Sequence, residues 1–343
     1  MLQVKPEDFQ PPIPVTEDGF RRRVSYLRVS VTDKCNLHCG YCMPLGKMDF
    51  WRGQEHLTRE ELFSLLEAFV TLGVTKVRLT GGEPLLRPDL AQIVAFVNGQ
   101  PSINDIALST NGLLLPTMAP ALYQAGLRRI NISLDTFDPE RFRQISGKGN
   151  LQQVLQGIQQ TLHLGFRPIK INCVIMRGIN DDEIGAFARF AYEHPVEVRF
   201  IELMPTRYTE EGRSGVGRQH FISSQEVQTR VEAHVSLELE APRTGVAMVY
   251  AVAGGAGSIG FISPVSNHFC GDCNRLRLTS TGMLKTCLHG QELVDLRTPL
   301  RSGASTQDIA AIIRGAVMRK PEEHFFRQDR FISPTLQMSQ VGG

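Results

Sequence analysis

Between Tyr26 and Ile201, strand-like segments alternate regularly with helix-like ones, and this order restricts the fold more than any other feature. The strand segments are Tyr26–Val31, Val74–Leu79, Asp105–Leu108, Arg129–Leu134, Ile169–Ile175 and Val196–Ile201. The helical ones are Thr58–Leu72, Asp89–Asn98, Pro116–Ala125, Leu151–Leu164 and Asp181–Tyr192. Thr58 followed by Glu61 is a capping box, and Asp89 after Pro88 reads as a second N-cap. Such alternation implies a parallel α/β sheet with right-handed crossovers. A closed eightfold barrel needs two more units, so a partial TIM-like barrel is expected, with a doubly wound sheet as the alternative.

In either fold the site lies beyond the C-terminal ends of the strands, and each strand here is followed by polar residues. The first leads into Cys35-Asn36-Leu37-His38-Cys39-Gly40-Tyr41-Cys42, three cysteines spaced C-x3-C-x2-C. So short a loop can aim three thiolates at one small volume. A structural zinc site closes with four ligands, and His38 could be the fourth; a cubane iron–sulfur cluster held by three would keep one iron open. A disulfide is disfavoured without a secretory context. The second strand gives Gly81-Gly82-Glu83-Pro84, where two glycines let backbone approach a ligand closely. The others bring Ser109-Thr110-Asn111-Gly112, then Ser133 and Asp135, Lys170 and Asn172, and Glu202-Leu203-Met204-Pro205.

Residues 206–343 lose this rhythm. Arg207–Arg218 reads as a glycine- and arginine-rich loop, followed by helices at Ser224–Ala233 and Thr306–Met318. Short strands are expected at Val246–Val252, Ser258–Ile262, Arg275–Thr279 and Met283–Cys287. A second cysteine set, Cys270, Cys273 and Cys287, again offers three thiolates; His289 could complete a zinc site, or one iron of a second cluster could stay open. Cys173 reads as a buried apolar thiol. Arg275 and Arg277 share a strand face beside this set and suit a polyanion such as a triphosphate. Arg28, Lys170 and Arg199 fall mid-strand, with Arg78 nearby, and charges there need a partner in a cavity. The net charge of +2 gives no general attraction to nucleic acid or membrane. No run approaches 18 apolar residues, so no membrane span is expected. Residues 1–20 read as a loose N-terminal arm without an export signal, and seven cysteines point to a reducing, cytoplasmic compartment.

The cysteine loop, with an aromatic before its last cysteine, resembles the signature of the radical S-adenosylmethionine (radical SAM) superfamily. Four longer stretches resemble the GTP 3′,8-cyclase family of molybdenum cofactor biosynthesis: Ser30-Val31-Thr32-Asp33-Lys34-Cys35, Arg78-Leu79-Thr80-Gly81-Gly82-Glu83-Pro84, Phe200-Ile201-Glu202-Leu203-Met204 and Cys270-Gly271-Asp272-Cys273-Asn274-Arg275-Leu276-Arg277. The resemblance runs from about Tyr26 to Gly342-Gly343. It implies a partial (βα)6 barrel of the radical SAM type over residues 21–205. A smaller C-terminal α+β region, 206–343, would close the barrel mouth and carry the second cluster and a diglycine tail.

By the same resemblance, two 4Fe-4S clusters sit on Cys35, Cys39 and Cys42 and on Cys270, Cys273 and Cys287. SAM is held at Tyr41, Gly82, Ser133 and Met204; GTP at Arg28, Arg78, Ser109, Lys170, Arg275, Leu276 and Arg277. Arg199 and the Gly342-Gly343 tail act near the chemistry. A 5′-deoxyadenosyl radical takes hydrogen from C3′ of GTP, which then bonds to guanine C8. Implied partners are a reducing electron donor and the cyclic pyranopterin monophosphate synthase that takes the product, with the chain a monomer or homodimer. Ser109 stands where a threonine is common. A peptide-modifying radical SAM enzyme and a non-catalytic iron–sulfur or zinc protein are the alternatives.

Overall fold

A computed structural model describes residues 16–42, 55–206, 209, 215–240, 245–324 and 338–342. Six strands match the expected units: β1 (Tyr26–Ser30), β2 (Lys76–Thr80), β3 (Asp105–Thr110), β4 (Arg129–Ser133), β5 (Ile169–Ile175) and β6 (Glu197–Glu202). They pair in sequence order, all parallel. The two further parallel strands come from the C-terminal region. β9 (Ser258–Ile262) pairs parallel with β6, and β10 (Arg275–Leu278) pairs parallel with β1. Eight consecutive strands are therefore parallel, and the sheet stays open. Antiparallel neighbours cover both edges: β7 (Leu237–Leu239) and β8 (Ala247–Val252) beside β9, β11 (Met283–Lys285) and β12 (Val294–Asp295) beside β10.

The strands alternate, which parallel strands buried on both faces do not. Leu27, Val29, Val77, Leu79, Ile130, Ile132, Ile171, Val198, Phe200, Leu276 and Leu278 face the helices and form the core. Each such burial contributes roughly 1.5–3 kcal/mol. Cys173 belongs to this face, fully buried, as its sequence position suggested. The intervening residues line the inside of the curve, and Arg28, Asn131, Lys170, Arg199 and Arg277 are buried among them, so this face carries a concentration of polar and charged groups.

Helix α1 (Arg59–Thr71) starts at the expected capping box, with Glu61 N–H donating to Thr58 Oγ1 at 3.2 Å and Thr58 N–H to Glu61 Oε2 at 2.9 Å. Before α2 (Leu90–Asn98) the expected cap fails, because the Asp89 carboxylate is taken by Arg87 at 2.7 Å. Helices α3 (Leu115–Gln124), α5 (Leu151–His163) and α6 (Ile184–Glu193) stand where the periodicity put them, the last after a 3-10 turn at Asp181–Glu183. Between α3 and α5 lies α4 (Pro139–Ser146), which the sequence hid. Only Phe142 and Ile145 are apolar in it, too few for a periodic signal. Asp138 caps it at the Arg141 amide, 2.6 Å away, and Gly147, at φ +71°, ends it.

Part of the expected loose arm is packed. Thr16 donates its hydroxyl to Leu72 O at 2.9 Å, and Asp18 pairs with Arg22 at 2.6 Å. Most of the expected loop Arg207–Arg218 lies outside the described residues. Among the described residues no helix is long and apolar enough to cross a membrane.

Candidate active site

The first cysteine loop leaves β1 and is held from two sides. From below, α4 receives it: His38 N–H donates to Ser146 O at 2.8 Å and Gly40 N–H to Ile145 O at 3.1 Å. From the side, the Gly81–Gly82 turn lies flat against Thr32–Lys34. Gly82 N–H donates to Thr32 O at 2.8 Å and Glu83 N–H to Lys34 O at 2.7 Å. A Cβ on Gly81 would come within 2.3 Å of Thr32 O, and one on Gly82 within 2.3 Å of Lys34 O. The glycines thus admit the backbone that leads into the cysteine loop, and that is the contact which excludes a side chain at both positions.

Glu83 is a structural hub. Its fully buried carboxylate accepts from Thr110 Oγ1 at 2.7 Å, the Asn111 amide at 2.7 Å and the Leu85 amide at 3.0 Å. Burial outweighs these donors and pushes it up to about 7. Asn111, placed by this hub, reaches Asn36 Oδ1 at 2.7 Å and lies 3.9 Å from Cys35 Sγ. Glu202 does equivalent work after β6, accepting from the amides of Ser224, Val265 and Ser266 at 2.9–3.0 Å.

Cys35, Cys39 and Cys42 form no disulfide and are half-buried. Burial pushes the Cys35 thiol up to about 11 and raises Cys39 well above its ordinary value. A cationic metal centre would offset this penalty and hold such sulfurs as thiolates. Leu37 N–H already points at Cys35 Sγ, 3.4 Å away, the kind of donor that cluster sulfurs accept. Among the described residues no three His, Cys, Asp or Glu side chains close around a single ion. His38 Nδ1 is buried and has no hydrogen-bond partner among the described residues.

Beside the loop, Tyr41 OH donates to Asp135 Oδ2 at 2.7 Å, and Asp135 Oδ1 accepts from Val174 N–H at 2.8 Å. Asp135 is buried and pushed up to about 6. Ser133, at the end of β4, is exposed, and Met204, past β6, is half-buried.

Within the barrel the expected cations converge, and they meet partners within the protein. Lys170 pairs with Glu197 directly across on β6, and Arg199, two residues along the same strand, pairs with it too. Burial, with Arg199 second, pushes Lys170 down to about 8. The Asn131 amide, with its oxygen toward Arg78, accepts from Arg78 Nη1 at 3.0 Å and from the Ser109 hydroxyl at 3.3 Å. Arg78 also lies over the Tyr26 ring at 5.6 Å. Arg28 Nε and Arg277 Nη1 donate to Gly342 O at 3.2 and 2.7 Å. The tail thus enters the barrel, on a short helix, α10 (Met338–Val341); Gly343 lies outside the described residues. Arg275 lies over the Phe269 ring at 4.7 Å. Leu276 turns its side chain into the core, so only its backbone faces the cavity.

The second cysteine set likewise forms no disulfide and is half-buried. Cys270 and Cys273 sit on one turn, with Cys273 N–H donating to Cys270 O at 3.1 Å. Arg22 binds Cys270 O at 2.8 Å and the carbonyls of Pro321 and Glu322 at 2.6 Å. Burial opposes ionisation of Cys273, but Arg275 and Lys320 bring its thiol down to about 7. His289 is held neutral, its imidazole pushed down to about 2 by burial.

Two thiol triads face one polar barrel, with N–H donors on their sulfurs; that donor set fits two iron–sulfur clusters and defines a radical SAM protein. The family model "Radical SAM superfamily" matches residues 29–191, and "Molybdenum Cofactor Synthesis C" matches residues 196–326. A solved structure of Streptococcus suis SuiB bound to S-adenosylmethionine shares the fold, with a TM-score of 0.61 at 12% identity, covering 89% of this chain and 74% of that one. Among relatives, "GTP 3′,8-cyclase" of Alkaliphilus oremlandii is 42% identical, and that of Hydrogenovibrio crunogenus 45%, each over 95% of this chain and 99–100% of its own length. The chain belongs to the GTP 3′,8-cyclase family.

Proposed function

We propose that this chain converts GTP to 3′,8-cyclo-7,8-dihydroguanosine 5′-triphosphate, the first step of molybdenum cofactor biosynthesis. The observation that carries this reading is the cationic lining of the inward face, Arg28, Arg78, Lys170, Arg199 and Arg277, on the strands that run between the two thiol triads. Cys35, Cys39 and Cys42 would hold the first 4Fe-4S cluster, and Cys270, Cys273 and Cys287 the second. When bound, the first cluster and SAM supply the hydrogen-abstracting 5′-deoxyadenosyl radical.

The chain's own residues bind and orient. Tyr41, Gly82, Ser133 and Met204 hold SAM beside the first triad. Arg28, Arg78, Ser109, Lys170, Arg275, the Leu276 backbone and Arg277 hold the nucleotide, its triphosphate on the cations. Arg199 and the Gly342-Gly343 tail keep C3′ at the abstraction distance, where small misplacements cost about a hundredfold. One hydrogen leaves C3′, the C3′–C8 bond forms, and an electron and a proton restore the count, so the product is an isomer of GTP. The electron comes from a low-potential donor, and the product passes to the cyclic pyranopterin monophosphate synthase. Residues 21–205 form the radical SAM partial barrel, and 206–343 carry the second cluster and the diglycine tail. Seven cysteines outside disulfides suit a reducing cytoplasm. Incubation of the anaerobically reconstituted chain with GTP, SAM and dithionite, followed by product analysis, tests the reading; intact GTP at the end of the reaction would contradict it.

A further inference from the structure

Lys320 follows α9 (Thr306–Met318) and is 2% exposed, yet no carboxylate pairs with it among the described residues. Its ammonium is shared between three partners: Cys273 Sγ at 3.6 Å, Arg275 O at 3.1 Å and Thr286 O. These partners sit beside both halves of the second thiol triad, Cys270–Cys273 and Cys287. The groups that face Lys320 from neighbouring elements are Cys273 and Cys287 on one side, Arg22 and Arg275 on the other. A buried ammonium against two backbone carbonyls and a sulfur is costly unless an anion completes its shell. Lys285, also fully buried, is bonded to Gly290 O and lies toward Cys287, so the region carries a surplus of positive charge. An iron–sulfur cluster on the triad would supply the negative charge.

We propose that Lys320 is an N–H···S donor to the cluster held by Cys270, Cys273 and Cys287, a positioning residue whose charge sets that cluster's reduction potential. The inference rests on the proposed function in one respect, the presence of that cluster. Reduction adds one negative charge to the cluster, and a fixed ammonium 3.6 Å from a ligand sulfur favours the reduced form. Neutralising the lysine therefore moves the potential to more negative values.

The test is an EPR-monitored redox titration of the full chain after anaerobic reconstitution, compared in wild type, Lys320→Gln and Lys320→Arg. A chain with Cys35, Cys39 and Cys42 changed to alanine identifies the second cluster's signal. Lys320→Gln is expected to keep its iron while the reduced-to-oxidised ratio at the wild-type midpoint falls about tenfold, a shift of about 59 mV for one electron. Lys320→Arg restores the midpoint. Loss of the second cluster in Lys320→Gln with retention in Lys320→Arg supports the same role. An unchanged midpoint in Lys320→Gln, or equal iron loss in both variants, would make Lys320 a space-filling clamp and leave the proposed function standing. A wild-type chain that binds only one cluster overturns both.

Discussion

Arg277 Nη1 donates to the carbonyl oxygen of Gly342 at 2.7 Å, across 65 residues of chain, and Arg28 Nε reaches the same oxygen. Two inward-facing arginines of neighbouring strands thus hold the C-terminal tail in the barrel. Gly342 has φ +69°, and a Cβ there would come within 2.2 Å of Thr80 Cγ2. Gly342→Ala is therefore expected to expel the tail. Iron content and SAM binding should persist, while cyclised product falls by about a hundredfold. Measuring product and 5′-deoxyadenosine side by side checks this; full product formation would show the tail to be an idle end.

Glu197 stands between Lys170 and Arg199 as their internal counter-ion. Glu197→Gln leaves two largely buried cations without it, and breaking such a pair costs about 3–5 kcal/mol. The melting temperature of the nucleotide-free chain should drop, and added GTP should raise it by more than in wild type. Equal GTP-induced shifts in the two proteins would refute a counter-ion role.

Burial puts Lys170 at about 8, against 10.5 for an ordinary lysine. The proposed function uses its charged form to hold the triphosphate, which predicts that affinity weakens as pH rises past 8, by up to about tenfold per pH unit. Stability runs the other way. Between pH 8 and 10.5 the unfolded chain keeps a proton that the native lysine has lost, so this group's contribution to stability rises with pH there. GTP titrations from pH 7 to 9, in wild type and Lys170→Arg, decide the matter: the arginine variant should lack the fall that begins near pH 8 in wild type.

Tyr41→Phe removes the 2.7 Å hydrogen bond to Asp135 and leaves that buried oxygen without its donor. A cost of about 1–3 kcal/mol in stability is expected, with weaker SAM binding and unaltered iron. Calorimetry with and without SAM reports both, and wild-type SAM affinity would remove Tyr41 from the cofactor site.

The six strands were legible because each is a local signal, alternation over five to seven residues, and the first cysteine triad stood out as a spacing within one loop. The closing strands were found as strands, but their parallel pairing with β6 and β1 was not, since nothing local marks which edge a distant strand joins. Helix α4 was missed for want of apolar residues, although it carries the cysteine loop. The charges inside the barrel were readable as misfits in parallel strands, and Glu197, two residues from Arg199 on the same face, could have been read with them. The contacts of Lys320 with Cys273 and of Arg22 with Cys270 could not, because they span 47 and 248 residues of sequence.

The most direct test of the central claim is the fate of GTP itself. Reconstituted chain, supplied with SAM, dithionite and GTP labelled with deuterium at C3′, should yield an isomer of GTP and an equivalent of 5′-deoxyadenosine that carries the deuterium. Deuterium-free 5′-deoxyadenosine with GTP recovered intact would contradict the account.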